Sequence, residues 1–126
     1  MQHLLFVFAG AGLGGALRHG MNLIVARGWP NSVGVSTLIV NVLGCFAMGA
    51  LIEALALKAD ASQATRLFLT TGLLGGFTTF SAFSLETVLL YERGAWGWAA
   101  LNVIASVTLS VVALIGGLCV VRHAAA

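Results

Sequence analysis

The stretch GGFTTFSAFS, residues 75–84, lies in the middle of an apolar segment that runs from about residue 64 to residue 91. That segment is longer than the roughly 20 residues that a simple membrane crossing needs. Its centre holds glycines, hydroxyls and aromatic rings, where a plain membrane anchor would carry leucine and valine. Irregular backbone at membrane depth persists only where protein buries it or a wet cavity solvates it. The sequence therefore predicts irregular backbone near mid-membrane that handles something polar.

The composition of the whole chain points to the bilayer as its solvent. Of its 126 residues, 60% are hydrophobic and 8% are charged, whereas soluble domains carry about 25% charged residues. The net charge of +2 is too small to indicate a nucleic-acid partner. Cys45 and Cys119 lack metal-ligand spacing and are interpreted as packed thiols. With no linker or long polar stretch, residues 1–126 are expected to form one domain.

Hydropathy divides the chain into four apolar segments joined by short polar loops. The predicted spans are residues 4–26, 34–57, 64–91 and 97–121, and the loops are 27–32, 58–63 and 92–94. The aromatic residues Trp29, Tyr91, Trp96 and Trp98 fall at span ends, as an interfacial aromatic belt would place them. The prediction is an all-α membrane protein with four transmembrane helices.

The loop charges give almost no preference for one orientation in the membrane. The side with both termini carries Lys58, Arg66 and Arg122, and the opposite side carries Arg27 and Arg93. Such a balance weakens the positive-inside rule. It permits insertion in both directions and hence an antiparallel homodimer; the alternative is a single orientation fixed by other features.

Glycine patterns in the chain have two interpretations. Residues 10–15, GAGLGG, match a dinucleotide-binding pattern, but no acidic residue follows about 20 positions later, and that interpretation is rejected. The pairs Gly10/Gly14 and Gly72/Gly76 have the spacing that lets membrane helices approach closely. No His/Cys/Asp cluster, nucleophile elbow or phosphate cradle appears in the sequence, so the chain is not expected to be an enzyme.

Polar residues inside the first, second and fourth spans have both structural and functional explanations. Arg18 either snorkels or pairs with carbonyls, or attracts anions in a wet vestibule. Thr37 and Asn41 share one helix face, where an amide joins helices or donates to a passing anion. Asn102, Ser106 and Ser110 form a stripe for which helix packing is the favoured explanation.

The third span carries two adjacent rows, which are Phe77, Phe80, Phe83 and Thr78, Ser81, Ser84. Phenylalanine edges are weakly positive and favour an anion, and hydroxyls can replace part of its water shell. A break at the glycines would free carbonyls to bind a cation. Glu86, two turns further on, either supports neighbouring polar groups, marks a pore mouth or couples transport to protons.

These residues resemble the signature of the Fluc (CrcB) fluoride channels. The resemblance rests on residues 75–84 with Glu86, on GGALR at residues 14–18, and on Thr37 with VNVLG at residues 40–44. It covers essentially the whole chain. It implies a bacterial inner-membrane protein that assembles as an antiparallel, dual-topology homodimer with two fluoride pores and one central structural sodium ion.

The resemblance also assigns roles to individual positions. Phe80 and Phe83 would line the pores with their ring edges, and Asn41 would donate a hydrogen bond to fluoride. The helix break would fall at residues 75–78, where carbonyls of Gly75 and Thr78 would hold the sodium ion. Arg18 would lie near the aqueous vestibule. The polar track or its supports would comprise Ser81, Ser84, Thr37, Glu86 and Ser110.

Two positions depart from the family pattern, and a different class of protein shares the layout. Ala82 and Leu114 stand where members can carry threonine, which would thin the polar track. The alternative function is a small dual-topology, proton-coupled multidrug exporter, but such proteins use a glutamate in the first helix, where this chain has Arg18 and no acid. A third possibility is a non-transporting assembly subunit.

Overall fold

The computed structural model describes residues 1–126, and every regular element in it is helical. The elements are α1 (Gln2–Gly28), α2 (Val35–Leu57), α3 (Gln63–Leu67), a π-helical segment (Phe68–Leu74), α4 (Gly75–Phe77), α5 (Ser81–Glu92) and α6 (Trp96–Ala125). Four runs are long and apolar enough to cross a membrane, namely Gln2–Gly28, Val35–Leu57, Gln63–Glu92 and Trp96–Ala125. The predicted all-α, four-span architecture is confirmed, with span ends that extend up to a few residues beyond those predicted.

The third span, Gln63–Glu92, changes its packing partner along its length. Its first half, comprising the π-helical segment and α4, packs mainly against α1. Its second half, α5, packs mainly against α6, which in turn makes the most extensive contact of the molecule with α2. The short interruption between the two halves therefore lies where the two helix pairs meet.

Glycines bring α1 and the third span into backbone contact. Gly10, Gly14 and Gly72 are buried. A Cβ atom at Gly14 would collide with the backbone of Leu73 and Phe77. Small residues at this spacing allow close approach of helices in lipid. The predicted helix-contact glycines therefore do pack helices, and all of them do so within one chain.

The same device joins α2 to α6. A Cβ atom at Gly49 would collide with the carbonyl of Leu114, and one at Gly117 would collide with the carbonyl of Phe46. Both glycines are buried. Because lipid supplies no hydrophobic drive for helix association, this close van der Waals contact stabilises the pair.

Side chains and turns close the helix ends. The Arg66 guanidinium donates from Nη2 to the Leu55 carbonyl at 2.8 Å and to the Lys58 carbonyl at 3.3 Å, satisfying carbonyls at the end of α2. The loops that precede α2 and α6 turn at Gly34 and Gly94, with φ of 89° and 76°, a region that glycine enters without steric cost.

Much of the outer surface is apolar, as a bilayer requires. Only 15 of the 126 residues are buried, and large side chains on α1, α5 and α6 are exposed. Trp29, Tyr91, Trp96 and Trp98 are exposed at helix ends, where the sequence predicted an aromatic belt. The one ion pair joins Arg122 Nε to Glu53 Oε2 at 3.0 Å.

Candidate functional site

The interruption in the third span falls at residues 78–80, between α4 and α5. Thr78 has extended backbone angles, with φ −80° and ψ 159°, whereas Gly75 is helical, with φ −63° and ψ −38°. The predicted break near mid-span is confirmed, but its predicted position at residues 75–78 is wrong by about three residues. The glycines remain helical because they serve packing: a Cβ atom at Gly76 would collide with the backbone of Ala11.

The break is held by the Asn41 side chain of α2. Its Nδ2 donates to the Thr79 carbonyl at 2.8 Å, and its Oδ1 accepts from the Thr79 amide at 2.8 Å. One carboxamide therefore satisfies both backbone groups of a buried residue that has left the helix. One hydrogen of the Asn41 amide group is not used in this pair and remains for the predicted bond to an anion.

The carbonyls predicted to hold a cation have both lost their ordinary helical partners. In an α-helix the Gly75 carbonyl would accept from the Thr79 amide, which instead donates to Asn41. The Thr78 carbonyl would accept from Ala82, whose amide instead donates to Thr79 Oγ1 at 3.2 Å. Oxygen ligands from unwound backbone suit a hard monovalent cation, so these two residues fit a sodium ion chemically.

Arg18 of α1 reaches the same break from the other side. Its Nη1 donates to the Thr78 carbonyl at 3.4 Å, a long bond that orients the guanidinium toward the interruption. A polar cavity of about 460 Å³ opens beside it. The cavity is lined by Gly15, Arg18, His19, Asn22, Thr37, Thr79, Ser81, Ala82 and Leu85. Both sequence interpretations of Arg18, carbonyl pairing and a place in a wet vestibule, agree with this geometry.

The two predicted pore phenylalanines differ in their surroundings. Phe80 lies at the break and is 76% exposed, while Phe83, one helical turn on, is 7% exposed. Their rings meet edge to face, with centroids 5.3 Å apart and planes at 61°. In that arrangement the weakly positive edge of one ring points at the other. The wide exposure of Phe80 leaves a large aromatic surface that this chain alone does not cover.

Glu86 joins α5 to α2 through Thr37, whose hydroxyl donates to Glu86 Oε1 at 2.6 Å. The second carboxyl oxygen, Oε2, is buried without a hydrogen-bond partner, and so is the Ser110 hydroxyl on α6. Buried polar atoms are almost always paired. These two unpaired atoms mark places in the membrane interior where a polar ligand or water would find a partner.

The hydroxyls of the third span are not equally free. Thr78 donates to the Leu74 carbonyl at 3.0 Å, and Ser84 donates to the Phe80 carbonyl at 2.9 Å. Ser81, by contrast, faces the cavity and shares a 3.3 Å contact with Thr79 Oγ1. Ser81 is therefore the hydroxyl of this row best placed to meet an ion, while the pore role of Ser84 stays a prediction.

Two polar links were missed by the sequence interpretation. Thr79 anchors the break through Asn41, and its Oγ1 accepts from the Ala82 amide at the start of α5, whereas the helical row predicted from the sequence contains its neighbours Thr78 and Ser81 but not Thr79. Asn22 of α1 accepts a hydrogen bond from Ser36 of α2, close to the cavity that Asn22 lines. The signal for both was a polar side chain inside an apolar span, which is costly unless it is paired.

Four spanning helices, an interrupted third span and a polar cavity beside the interruption define a small multi-pass membrane protein with a site at membrane depth. Residues 5–118 match the family described as "CrcB-like protein, Camphor Resistance (CrcB)". The chain belongs to the CrcB family.

Several curated proteins resemble this chain over nearly its full length. It is 57% identical to the fluoride-specific ion channel FluC of Granulibacter bethesdensis, covering 97% of this chain and 96% of that protein. It is 52% identical to the fluoride-specific ion channel FluC 2 of Nitrobacter hamburgensis, with 97% and 98% coverage. The corresponding figures for FluC of Methylobacterium nodulans are 53%, 98% and 98%. These relatives are named as channels, which are transport proteins and not enzymes. This agrees with the sequence-based prediction that the chain is not an enzyme.

Proposed function

We propose that the protein is a fluoride-selective channel that lets fluoride leave the bacterial cytoplasm passively across the inner membrane. The observation that carries the proposal is the Asn41-held break at Thr79. Thr79, Ser81 and Ala82, which flank Phe80 and Phe83 in the chain, line the Arg18 cavity. The likeness to proteins named fluoride-specific ion channels supports the choice of ion.

In this proposal, fluoride meets the groups of the site one after another along its path. Arg18, partly buried beside the cavity, raises the local concentration of anions at its mouth. Ser81 and the free amide hydrogen of Asn41 then replace part of the water shell of a small anion. The edges of Phe80 and Phe83 supply weak positive potential without a fixed charge. An ion that meets only neutral donors and ring edges is bound loosely enough to leave again.

The polar track beyond the phenylalanines is formed by Thr37, Glu86 and Ser110. A carboxylate has acceptors only, so Glu86 assists an anion when its free Oε2 carries a proton and donates it as a hydrogen bond. Ser110, whose hydroxyl is buried and unpaired, offers a second donor along this path.

The functional unit is an antiparallel homodimer with two pores and a structural sodium ion between the subunits. Phe80 supports a second copy because it is 76% exposed although it lies at the break, where lipid would leave the open carbonyls without a partner. Gly75 and Thr78 would hold the ion through their carbonyls. The ion, when bound, neutralises converging carbonyl dipoles and ties the two interrupted helices together.

The proposal is tested by fluoride efflux from liposomes that contain the purified protein in sodium-containing buffer. We expect rapid fluoride release, followed with a fluoride electrode, that needs no proton gradient and is not matched by chloride release. An absence of fluoride release, or equal chloride release, would overturn the proposal.

One observation favours a second candidate, a proton-coupled exporter of cationic compounds. Glu86 is an acid inside a span with a free buried oxygen, as a proton carrier would need. Against it, Arg18 places a cation at the cavity, which repels cationic compounds. Uptake of a cationic dye driven by a pH gradient, in the same liposomes, separates the two.

A further inference from the structure

Asn41 replaces a helical hydrogen bond rather than adding to one. In an unbroken helix the Thr79 amide would donate to the Gly75 carbonyl four residues back. In the structure that amide donates to Asn41 Oδ1, and the neighbouring Thr78 amide still donates to the Leu74 carbonyl at 3.0 Å. The last i→i−4 hydrogen bond of this helix therefore goes to the Leu74 carbonyl, and the Gly75 carbonyl receives none.

The Gly75 carbonyl consequently lacks its backbone partner on an exposed face of the protomer. A carbonyl at membrane depth is costly without a partner. Oxygen atoms of unwound backbone are suited to coordinate a small cation. The residue that removes the amide from Gly75 therefore decides whether this carbonyl is free to act as a ligand.

We propose that Asn41 is a positioning residue for the sodium site: it captures the Thr79 amide and so releases the Gly75 carbonyl to the cation. This inference rests on the proposed sodium-containing homodimer. It gives one carboxamide two tasks, because the second Nδ2 hydrogen is not bonded to Thr79 and is available for the proposed hydrogen bond to the anion. The cation site and the anion path are then coupled through a single side chain.

Removing the carboxamide would let the Thr79 amide return to Gly75. A carbonyl oxygen that already accepts this bond is a weaker and less accessible cation ligand, although it keeps a second lone pair. We expect sodium binding to weaken about fivefold or more, the factor that corresponds to one ordinary hydrogen bond.

The test measures the melting temperature of the purified full-length protein in detergent against sodium concentration, with N-methylglucamine keeping the ionic strength constant. A ligand that binds only the folded protein raises the melting temperature as its concentration passes the dissociation constant. We expect the sodium concentration that gives half of the full rise in melting temperature to be at least about fivefold higher for Asn41→Leu than for the unmodified protein. Leucine is chosen because its side chain is similar in size to that of asparagine. If that variant does not fold, Asn41→Ser, too short to bind both Thr79 groups, replaces it.

Asn102→Leu is the matched control. Asn102 also lies in a span, and its Nδ2 donates to Thr87 Oγ1 at 2.9 Å rather than to Thr79. We expect it to lower the melting temperature at every sodium concentration without moving the half-point.

The outcomes separate this inference from the proposed function. If Asn41→Leu behaves like Asn102→Leu, Asn41 is a structural residue only and the inference is overturned. If the unmodified protein shows no sodium-dependent rise, the sodium site and this inference both fail. Fluoride release by the same preparation of unmodified protein then decides whether the channel proposal survives.

Discussion

The third span departs from α-helical geometry twice within a few residues, and the two departures are supported differently. In the π-helical segment, Phe68–Leu74, the backbone stays bonded to itself: the amide of Gly75 donates to the Thr70 carbonyl five residues back. At residues 78–80 the ladder opens, and side chains of other helices take over, with Asn41 on one side and Arg18 on the other.

The difference shows two ways to keep irregular backbone at membrane depth. The π-helical segment is supported sterically, by glycines of α1 that let it lie against their backbone. The break is supported by polar groups that replace missing backbone bonds. A defect in the steric support should therefore cost the fold, whereas a defect at the break should cost transport.

The largest effect is expected from Gly14→Val. Its Cβ atom would collide with the backbone of Leu73 and Phe77, which cannot move aside as a flexible side chain would. Overpacking alone costs about 1–3 kcal/mol, and backbone collision adds to it, so the yield of folded protein should fall at least about tenfold, measured by size-exclusion chromatography in detergent. Gly12→Val, at a site with no atom nearby, is the control. Equal yields of the two variants would contradict the steric half of the comparison.

The next effect is expected from Phe80→Ile, which tests the break. Phe80 is 76% exposed, so the protomer should fold normally, while the ring edge offered to fluoride is lost. We expect fluoride release from liposomes to slow more than about tenfold, which corresponds to ~1.4 kcal/mol on the barrier. Phe8→Ile on α1, at a phenylalanine that is 79% exposed, should leave release unchanged. Normal release by Phe80→Ile would remove Phe80 from the pore lining.

The smallest effect is expected from Glu86→Gln. The amide oxygen can still accept from Thr37, and the NH2 group supplies the donor that a protonated carboxyl would offer. Fluoride release should stay within about twofold of the unmodified protein, since the hydrogen bonds to the ion are retained. If the unmodified protein instead takes up a cationic dye along a pH gradient, and Glu86→Gln abolishes that uptake, the proton-coupled exporter is supported and the channel proposal is contradicted.

The sequence predicted the parts of the fold that depend on local hydropathy and residue size. Four apolar segments of membrane length give four spanning helices, because lipid leaves the backbone no other partner. The glycine pairs Gly10/Gly14 and Gly72/Gly76 gave helix contacts, because only small residues permit such approach. For Arg18 the sequence left carbonyl pairing and a wet vestibule open, since a charge within a span needs water or a partner, and the structure gives Arg18 a carbonyl partner beside a polar cavity.

The position of the break could not be predicted from the local sequence of the third span. Glycine content favoured residues 75–78, but the interruption is set by Asn41, which lies 38 residues away in the chain. The hydroxyl row also could not be resolved from the sequence, because Ser84 donates its hydrogen bond to the Phe80 carbonyl of its own helix. The hydrogen-bond partner of each polar group depends on which residues the tertiary structure brings near it, and the sequence pattern of one span does not contain this information.

The π-helical segment has a consequence for the angular phase of the third span. A bond to the fifth residue encloses one residue more than a bond to the fourth. One added residue rotates everything that follows by about 100°, the turn of an α-helix per residue. The face that residues 63–67 present is therefore not continued, at the ordinary period, by residues 75–77, and the break at residues 78–80 interrupts the helix again before residues 81–92. A helical wheel drawn through the whole span would assign the two halves to wrong neighbours.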